Sequence, residues 1–236
     1  MAFHVFIDGL NLYKGALSKR PDLKWLDLIE LSKELMGKYP PAFIYYFTSP
    51  MKRRFSGDLS PERQATYIRV LGHQGIRTIK GKTVRYQKWL RHTEFERERF
   101  VQPTFPRLFG VSDYLIKRVW KASLPDAPKS KVELLSEKAS DVNLASYLLL
   151  DVFQGLMDQA LVISGDSDLF MPIKFAVEAG ITVKVVIPSQ SQPLGIIQTV
   201  ASEVAYLTRE QLESSQLDRP FQTPKGSLIY PPDVWR

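Results

Sequence analysis

Four aspartates, at two predicted strand ends and one predicted helix start, are the candidate functional residues of this sequence. Asp8 directly follows one short apolar run, and Asp166 and Asp168 follow another. Asp141 lies in the first turn of a predicted helix, one residue after Ser140, the expected cap. Ligands of open α/β sheets bind beyond the carboxyl ends of the strands, so we expect these carboxylates to converge on one rim of a sheet. Several carboxylates at close range repel one another unless a divalent cation neutralises them.

The ligand types available favour a hard metal ion. The chain has no cysteine, and its three histidines, His4, His73 and His92, are far apart and form no metal-binding spacing. Carboxylate oxygens suit Mg²⁺ and Mn²⁺. Such ions lower the pKa of a bound water and stabilise a leaving oxygen. The four aspartates therefore predict a Mg²⁺ or Mn²⁺ site suited to phosphodiester hydrolysis.

Each aspartate also has a purely structural explanation. The pair Asp8-Gly9 is typical of a plain turn after a strand. Asp166 and Asp168 could cap the helix that follows them, and Asp141 could simply compensate a helix dipole. A functional site is favoured by the combination, because two strand ends and one helix start carry these acids together.

The elements that would position these residues alternate between strand-length apolar runs and helix-length amphipathic segments. We predict strands at 3–7, 42–47, 76–79, 160–164, 181–187 and 204–207, and helices at 26–36, 60–75, 140–154, 169–179 and 194–201. Repeated strand-then-helix order predicts an α/β fold, Rossmann-like and three-layered, with a central and mostly parallel sheet.

Positive charge is concentrated in one part of the chain. Residues 77–131 contain 14 Lys or Arg against 5 Asp or Glu, whereas the whole chain has a net charge of +7. Aromatic residues are interleaved with these bases, a combination found in proteins that bind single-stranded nucleic acid. Arg85, Lys88 and Arg91 are the candidate contacts. About half of the aromatic residues could instead form a small core of this basic insertion.

Three blocks resemble the NYN family of the PIN-like nuclease superfamily. They are FIDGLNLY at 6–13, EKASDVNLASYLLLD at 137–151 and LVISGDSDLFMPIKFAVEAG at 161–180. The resemblance covers roughly residues 3–90 and 131–208. It implies a PIN-like fold and a divalent-metal nuclease that acts on RNA.

The resemblance also implies roles for particular residues. The four aspartates become catalytic metal ligands, Asn11 positions a ligand or a phosphate, and Ser164 supports the ligands. Lys138 contacts phosphate under this interpretation, although a solvated lysine at a helix start explains it equally well. Many family members carry glycine before the helix aspartate and a further acid six residues after it. Here those places hold Ser140, preceded by Ala139, and Tyr147, which leaves one fewer potential ligand and the second metal open.

The domain organisation predicted from these features is simple. Residues 1–210 form the nuclease domain, with the basic insertion at about 90–130, and residues 211–236 form a C-terminal extension. Four prolines after Gln216 predict an extended arm. No apolar run approaches the ~20 residues of a membrane span, and the N-terminus lacks the pattern of a secretory signal, so we expect a cytoplasmic protein with no membrane partner.

Two functions follow as hypotheses. The first is a divalent-metal-dependent endoribonuclease that hydrolyses RNA phosphodiester bonds through the aspartate cluster. The alternative is a non-catalytic RNA-binding or regulatory adaptor that retains the fold, motivated by Tyr147 and by the insertion. A haloacid-dehalogenase-type phosphohydrolase is disfavoured, because its Asp-x-Asp motif would need an acid where Leu10 stands.

Overall fold

The computed structural model describes residues 2–37, 39–91, 129–192 and 195–235. The chain divides into two compact units, one made of Met1–Val84 and Glu137–Arg236 and the other of Arg85–Ser136. The second unit is somewhat wider than the insertion predicted at 90–130. The basic and aromatic residues predicted to bind nucleic acid between 92 and 128 lie outside the described residues.

Ten strands and six α-helices are found in the described residues. The strands are β1 (Phe3–Asp8), β2 (Phe43–Thr48), β3 (Arg77–Lys80), β4 (Lys82–Arg91), β5 (Lys129–Lys138), β6 (Gln159–Ile163), β7 (Thr182–Ile187), β8 (Glu203–Tyr206), β9 (Phe221–Gln222) and β10 (Leu228–Ile229). The α-helices are α1 (Gly9–Leu12), α2 (Leu28–Leu35), α3 (Ser60–His73), α4 (Ser140–Phe153), α5 (Phe170–Glu178) and α6 (Arg209–Ser214).

The central sheet is wholly parallel, with strand order β3-β2-β1-β6-β7-β8. Its inner strands are continuous apolar runs because both faces are covered by helices. The strand order reverses between β1 and β6, and a crevice opens at such a reversal beyond the carboxyl ends of the strands. The predicted α/β fold with a mostly parallel sheet is therefore confirmed.

Two hydrophobic cores, one on each face of the central sheet, pack the helices against it and give the fold three layers. Val5 and Ile7 of β1 pack with α2 and α3 on one face, and Phe6 packs with α4 and α5 on the other. Each of these three side chains is fully buried. Alternate residues of β1 thus anchor opposite layers, which fixes the register of the strand and places Asp8 at its end.

The C-terminal segment is not the extended arm predicted from its prolines. Leu217, Ile229 and Trp235 are buried in the same core as α2 and α3. The Trp235 ring lies 6.3 Å from Trp25 and 6.2 Å from Tyr67, between ring centroids. The prediction was wrong because apolar side chains spaced between the prolines cover core surface that the helices leave open.

The helix predicted at 194–201 is a short 3-10 segment, Gly195–Thr199, in the part of that stretch that the structure describes. Among all described residues, none of the helices combines the length and the apolar character needed to cross a bilayer. β4 and β5 form a separate two-stranded sheet.

Candidate metal centre

Asp8 ends β1 at the point where the strand order reverses. One of its carboxylate oxygens accepts the backbone N–H of Asn11 at 2.9 Å, and the other accepts the Ser164 hydroxyl at 3.2 Å. Its side chain is almost completely buried. Burial raises the pKa of Asp8, and the carboxylates of Glu137 and Asp166 raise it further, although the two hydrogen bonds oppose this. Asp8 is therefore a buried acid whose charge lacks full compensation from the protein.

The loop after β6 is tied to the loop after β1 by side chains. The Ser164 hydroxyl that donates to Asp8 also accepts the backbone N–H of Asp166 at 3.1 Å. The Asn11 side-chain oxygen accepts the N–H of Gly165, also at 3.1 Å. Asn11 and Ser164 thus link the two loops by hydrogen bonds.

Three of the four aspartates converge. Asp141, Asp166 and Asp168 each offer a carboxylate oxygen, and these oxygens lie within 4.8 Å of one another. Asp141 comes from the first turn of α4, and the other two come from the loop after β6. The Asp166 carboxylate also accepts the N–H of Asp168 at 3.0 Å, which shapes the start of the short helix Ser167–Leu169. An all-oxygen donor set of this kind fits Mg²⁺ or Mn²⁺.

Asp8 stands beside this triad and is not part of it. It is coupled to the triad electrostatically through Asp166 and structurally through Ser164. The four predicted residues thus comprise three converging carboxylates and a buried fourth, Asp8, that interacts with Asp166.

Glu137 and Tyr46 belong to this region and were missed by the sequence analysis. The Glu137 carboxylate accepts the Ser140 hydroxyl and acts electrostatically on both Asp8 and Tyr46. Burial raises the pKa of the Tyr46 hydroxyl well above its usual value, and the carboxylates of Asp8 and Glu137 add to that effect. Glu137 begins one of the blocks that resemble the NYN family, but Tyr46 lies in an aromatic strand that predicts only core packing.

The turn into α4 differs from the predicted cap. Ser140 is the first residue of the helix, and Ala139 occupies the cap position with a left-handed φ of 71°. The Ser140 hydroxyl donates instead to Glu137 and lies 3.2 Å from the Ser49 hydroxyl. A left-handed conformation costs a residue with a Cβ about 1–2 kcal/mol. The chain tolerates that strain two residues before Asp141.

Close backbone approach explains two glycines near the centre. A Cβ added to Gly9 would lie 2.5 Å from the Tyr46 ring and 2.8 Å from the Phe47 carbonyl oxygen. A Cβ at Gly81 would lie 2.5 Å from the Lys138 carbonyl oxygen. The Asp8-Gly9 pair is therefore more than a plain turn, because only glycine lets α1 pass so close to β2.

The predicted phosphate-binding residues are Lys138 at the end of β5 and three basic residues of β4. Lys138 is exposed, next in sequence to Glu137, and no carboxylate within the described ranges pairs with it. Arg85 and Lys88 are exposed on β4, and Arg91 ends that strand. Arg85 forms an ion pair with Glu133 at 3.1 Å. These three β4 residues belong to the second unit.

Tyr147 takes no part in the centre. Its ring packs 5.2 Å from Tyr45 and 5.8 Å from Phe47, measured between centroids, on the face of the sheet that α4 covers. The position at which many NYN proteins carry a further acid therefore contributes packing to this chain.

Comparison with known proteins yields little about this site. No family model matches the chain. A curated relative from Pseudomonas putida, named 6-hydroxy-3-succinoylpyridine 3-monooxygenase, is 26% identical over 98% of this chain and 74% of its own length. A solved Vibrio parahaemolyticus protein of unknown function aligns over 89% of this chain and 94% of its own, with a TM-score of 0.46 and 11% identity.

Proposed function

We propose that this chain is a divalent-metal-dependent endoribonuclease of NYN type. The observation that carries the proposal is the convergence of Asp141, Asp166 and Asp168 within 4.8 Å, at the strand-order reversal of a parallel sheet. Three carboxylates so close together repel one another, and a bound Mg²⁺ or Mn²⁺ relieves that repulsion.

The chain's own residues have separate tasks in this proposal. Asp141, Asp166 and Asp168 would hold the ion, and the buried Asp8 adds negative charge that acts on Asp166. Ser164 and Asn11 keep the two loops fixed, so that the carboxylates are oriented before an ion or a substrate arrives. A divalent cation bound there would supply an activated water and neutralise charge on the scissile phosphodiester. Lys138, exposed at the end of β5, is suited to contact a neighbouring phosphate.

The experiment that tests the proposal compares one labelled single-stranded RNA in Mn²⁺ and in EDTA. Internal cleavage with Mn²⁺ and none with EDTA is expected, and the resemblance to NYN proteins implies products with 5′-phosphate and 3′-hydroxyl ends. RNA binding in EDTA without cleavage at any Mg²⁺ or Mn²⁺ concentration would reject the nuclease and favour the adaptor hypothesis.

Basic residues of β4 are expected to bind the RNA backbone. Replacing Lys88 or Arg91 with glutamine should weaken RNA affinity and reduce the slope of log K against log salt by about 0.7 for each phosphate of a single strand that is no longer neutralised. Arg85 should matter less, because Glu133 already offsets its charge. Binding titrations at several salt concentrations measure the slope, with Arg69→Gln on the exposed surface of α3 as the matched control. An unchanged slope in both variants would remove β4 from the binding surface.

A second candidate function is oxygenation of a small aromatic acid. The similarity over 98% of the chain to a protein named 6-hydroxy-3-succinoylpyridine 3-monooxygenase favours it. The test is oxygen consumption by the purified chain with that compound and a reduced nicotinamide as electron donor. Substrate-dependent oxygen consumption above the enzyme-free rate would support this function. A rate equal to the enzyme-free rate would reject it.

A further inference from the structure

A cavity of about 360 Å³ lies where α4 covers β1, β2 and β3. Its wall includes His4, Phe43, Tyr45, Arg77, Tyr147 and Asp151. Asp151 lies ten residues beyond Asp141 on α4, a separation of about 15 Å at 1.5 Å per helical residue. The cavity is therefore distinct from the carboxylate centre. Its volume falls within the ~300–1,000 Å³ usual for small-molecule sites.

Aromatic rings form much of the wall. Phe43 and Tyr45 are stacked with centroids 5.7 Å apart and planes at 21°, and Tyr147 lies 5.2 Å from Tyr45. Phe43 remains about half exposed although its strand neighbours are buried. Rings held in this way offer flat apolar surface to another planar ring, and stacked pairs stabilise binding beyond the burial of apolar area.

A buried polar pair, His4 and Asp151, is part of the cavity lining. The His4 Nδ1 and an Asp151 carboxylate oxygen are 2.6 Å apart, and the Tyr45 hydroxyl donates to the other Asp151 oxygen at 3.4 Å. His4 and Asp151 are 3% and 2% exposed. The Asp151 carboxylate is thus engaged on both oxygens. The second ring nitrogen of His4, Nε2, has no hydrogen-bond partner among the described residues.

Arg77 supplies a cation to the same wall. Its guanidinium lies 5.7 Å from the Tyr147 ring centroid, and no carboxylate in the described part of the chain forms an ion pair with it. A guanidinium matches a carboxylate with two parallel hydrogen bonds. Both carboxylate oxygens of Asp151 already have hydrogen-bond partners in His4 and Tyr45. Arg77 is therefore the charged side chain of this wall that can donate hydrogen bonds to a ligand.

We propose that this cavity binds a small planar aromatic acid. The ring of the ligand packs against Phe43 and Tyr147, and its carboxylate pairs with Arg77. The His4 Nε2 and the Gln154 side chain are polar groups of the lining that a substituent on the ring could meet. The inference does not depend on the proposed nuclease activity, since it uses none of the residues of the carboxylate centre.

The test uses 2-naphthoate and its uncharged counterpart 2-naphthamide, titrated into the full chain by calorimetry. Saturable binding of naphthoate is expected, with affinity about 3- to 5-fold greater than that of naphthamide, because Arg77 is exposed and an exposed ion pair contributes at most about 1 kcal/mol. Arg77→Gln should weaken naphthoate binding by a similar factor and leave naphthamide unaffected. Arg69→Gln, which removes an exposed arginine elsewhere, should change neither.

Several outcomes would overturn the proposal. Absence of saturable naphthoate binding would do so, as would equal affinity for the two compounds in the unmodified chain, a result that needs no variant to fold. An unchanged naphthoate affinity in Arg77→Gln would remove the assigned cation. Leu150 is an exposed leucine of the cavity wall. If the chain dimerises in sedimentation experiments, Leu150→Ser dissociates the dimer and naphthoate does not bind, the cavity would be assigned to self-association.

Discussion

Asp166→Asn is expected to lower Mn²⁺-dependent cleavage of single-stranded RNA by at least ~10²-fold, and Asp141→Asn should do the same. Removing one preorganised electrostatic group from an active site commonly lowers the rate by about 10²–10³. The two residues reach the centre from different elements, the loop after β6 and the first turn of α4. Asparagine keeps the size of the side chain and removes its charge, so the loss would report metal binding. Initial rates at fixed Mn²⁺ and at increasing Mn²⁺ measure the effect.

Asp22→Asn is the matched control for these variants. Asp22 is an exposed aspartate in the short helix Pro21–Leu23, and its side chain makes none of the hydrogen bonds or ion pairs found at the centre. Its rate should equal that of the unmodified chain, and all three variants should unfold cooperatively. Full activity in Asp166→Asn or Asp141→Asn would show that the converging carboxylates are not the site of hydrolysis.

Asp8→Asn is expected to have two opposite effects, a loss of cleavage of about 10²-fold and a gain of stability in EDTA at neutral pH. Burial raises the pKa of Asp8, so the folded protein holds this proton more tightly than the unfolded chain does. Below the usual pKa of an aspartate the group is protonated in both states and costs no stability. As the pH rises past that value, the unfolded state ionises first and stability falls until the raised pKa has been passed. Asparagine removes this loss.

Thermal unfolding in EDTA and in Mn²⁺ checks the prediction for Asp8. At neutral pH in EDTA the midpoint of Asp8→Asn should lie above that of the unmodified chain, and the difference should vanish below the usual pKa of aspartate. Mn²⁺ should raise the midpoint of the unmodified chain more than that of the variant, because a bound cation compensates the Asp8 charge. A lower midpoint for Asp8→Asn in EDTA would mean that its hydrogen bonds to Asn11 and Ser164 outweigh the cost of burial.

Much of the fold could be predicted because its signals are local. The continuous apolar runs around Val5 and Val162 predict strands buried on both faces, and the structure pairs these two strands at the centre of the sheet. The alternation of strands with helices then leaves few arrangements, and acids at the ends of β1 and β6 must meet at one edge. That is why Asp8, Asp166 and Asp168 could be assigned to one rim without coordinates, and Asp141 was added from its place in the first turn of the predicted helix.

The features that were missed depend on contacts between distant parts of the chain. Tyr46 approaches Asp8 because Gly9 lets the two backbones come close, and nothing near Tyr46 in sequence indicates this. The left-handed conformation of Ala139 is imposed by the turn between β5 and α4, against the preference of alanine itself. The C-terminal prolines predicted an arm, but Trp235 is held by contacts with Trp25 and Tyr67 far earlier in the chain.

Anomalous diffraction from crystals soaked in Mn²⁺ tests directly whether the carboxylates bind a cation. An anomalous peak is expected among the side chains of Asp141, Asp166 and Asp168, with carboxylate oxygens as its ligands. The peak should disappear in Asp166→Asn crystals soaked in the same way. If no peak is found at these three aspartates at saturating Mn²⁺, or if Mn²⁺ binds only elsewhere, the metal centre and the hydrolytic function proposed from it would be contradicted.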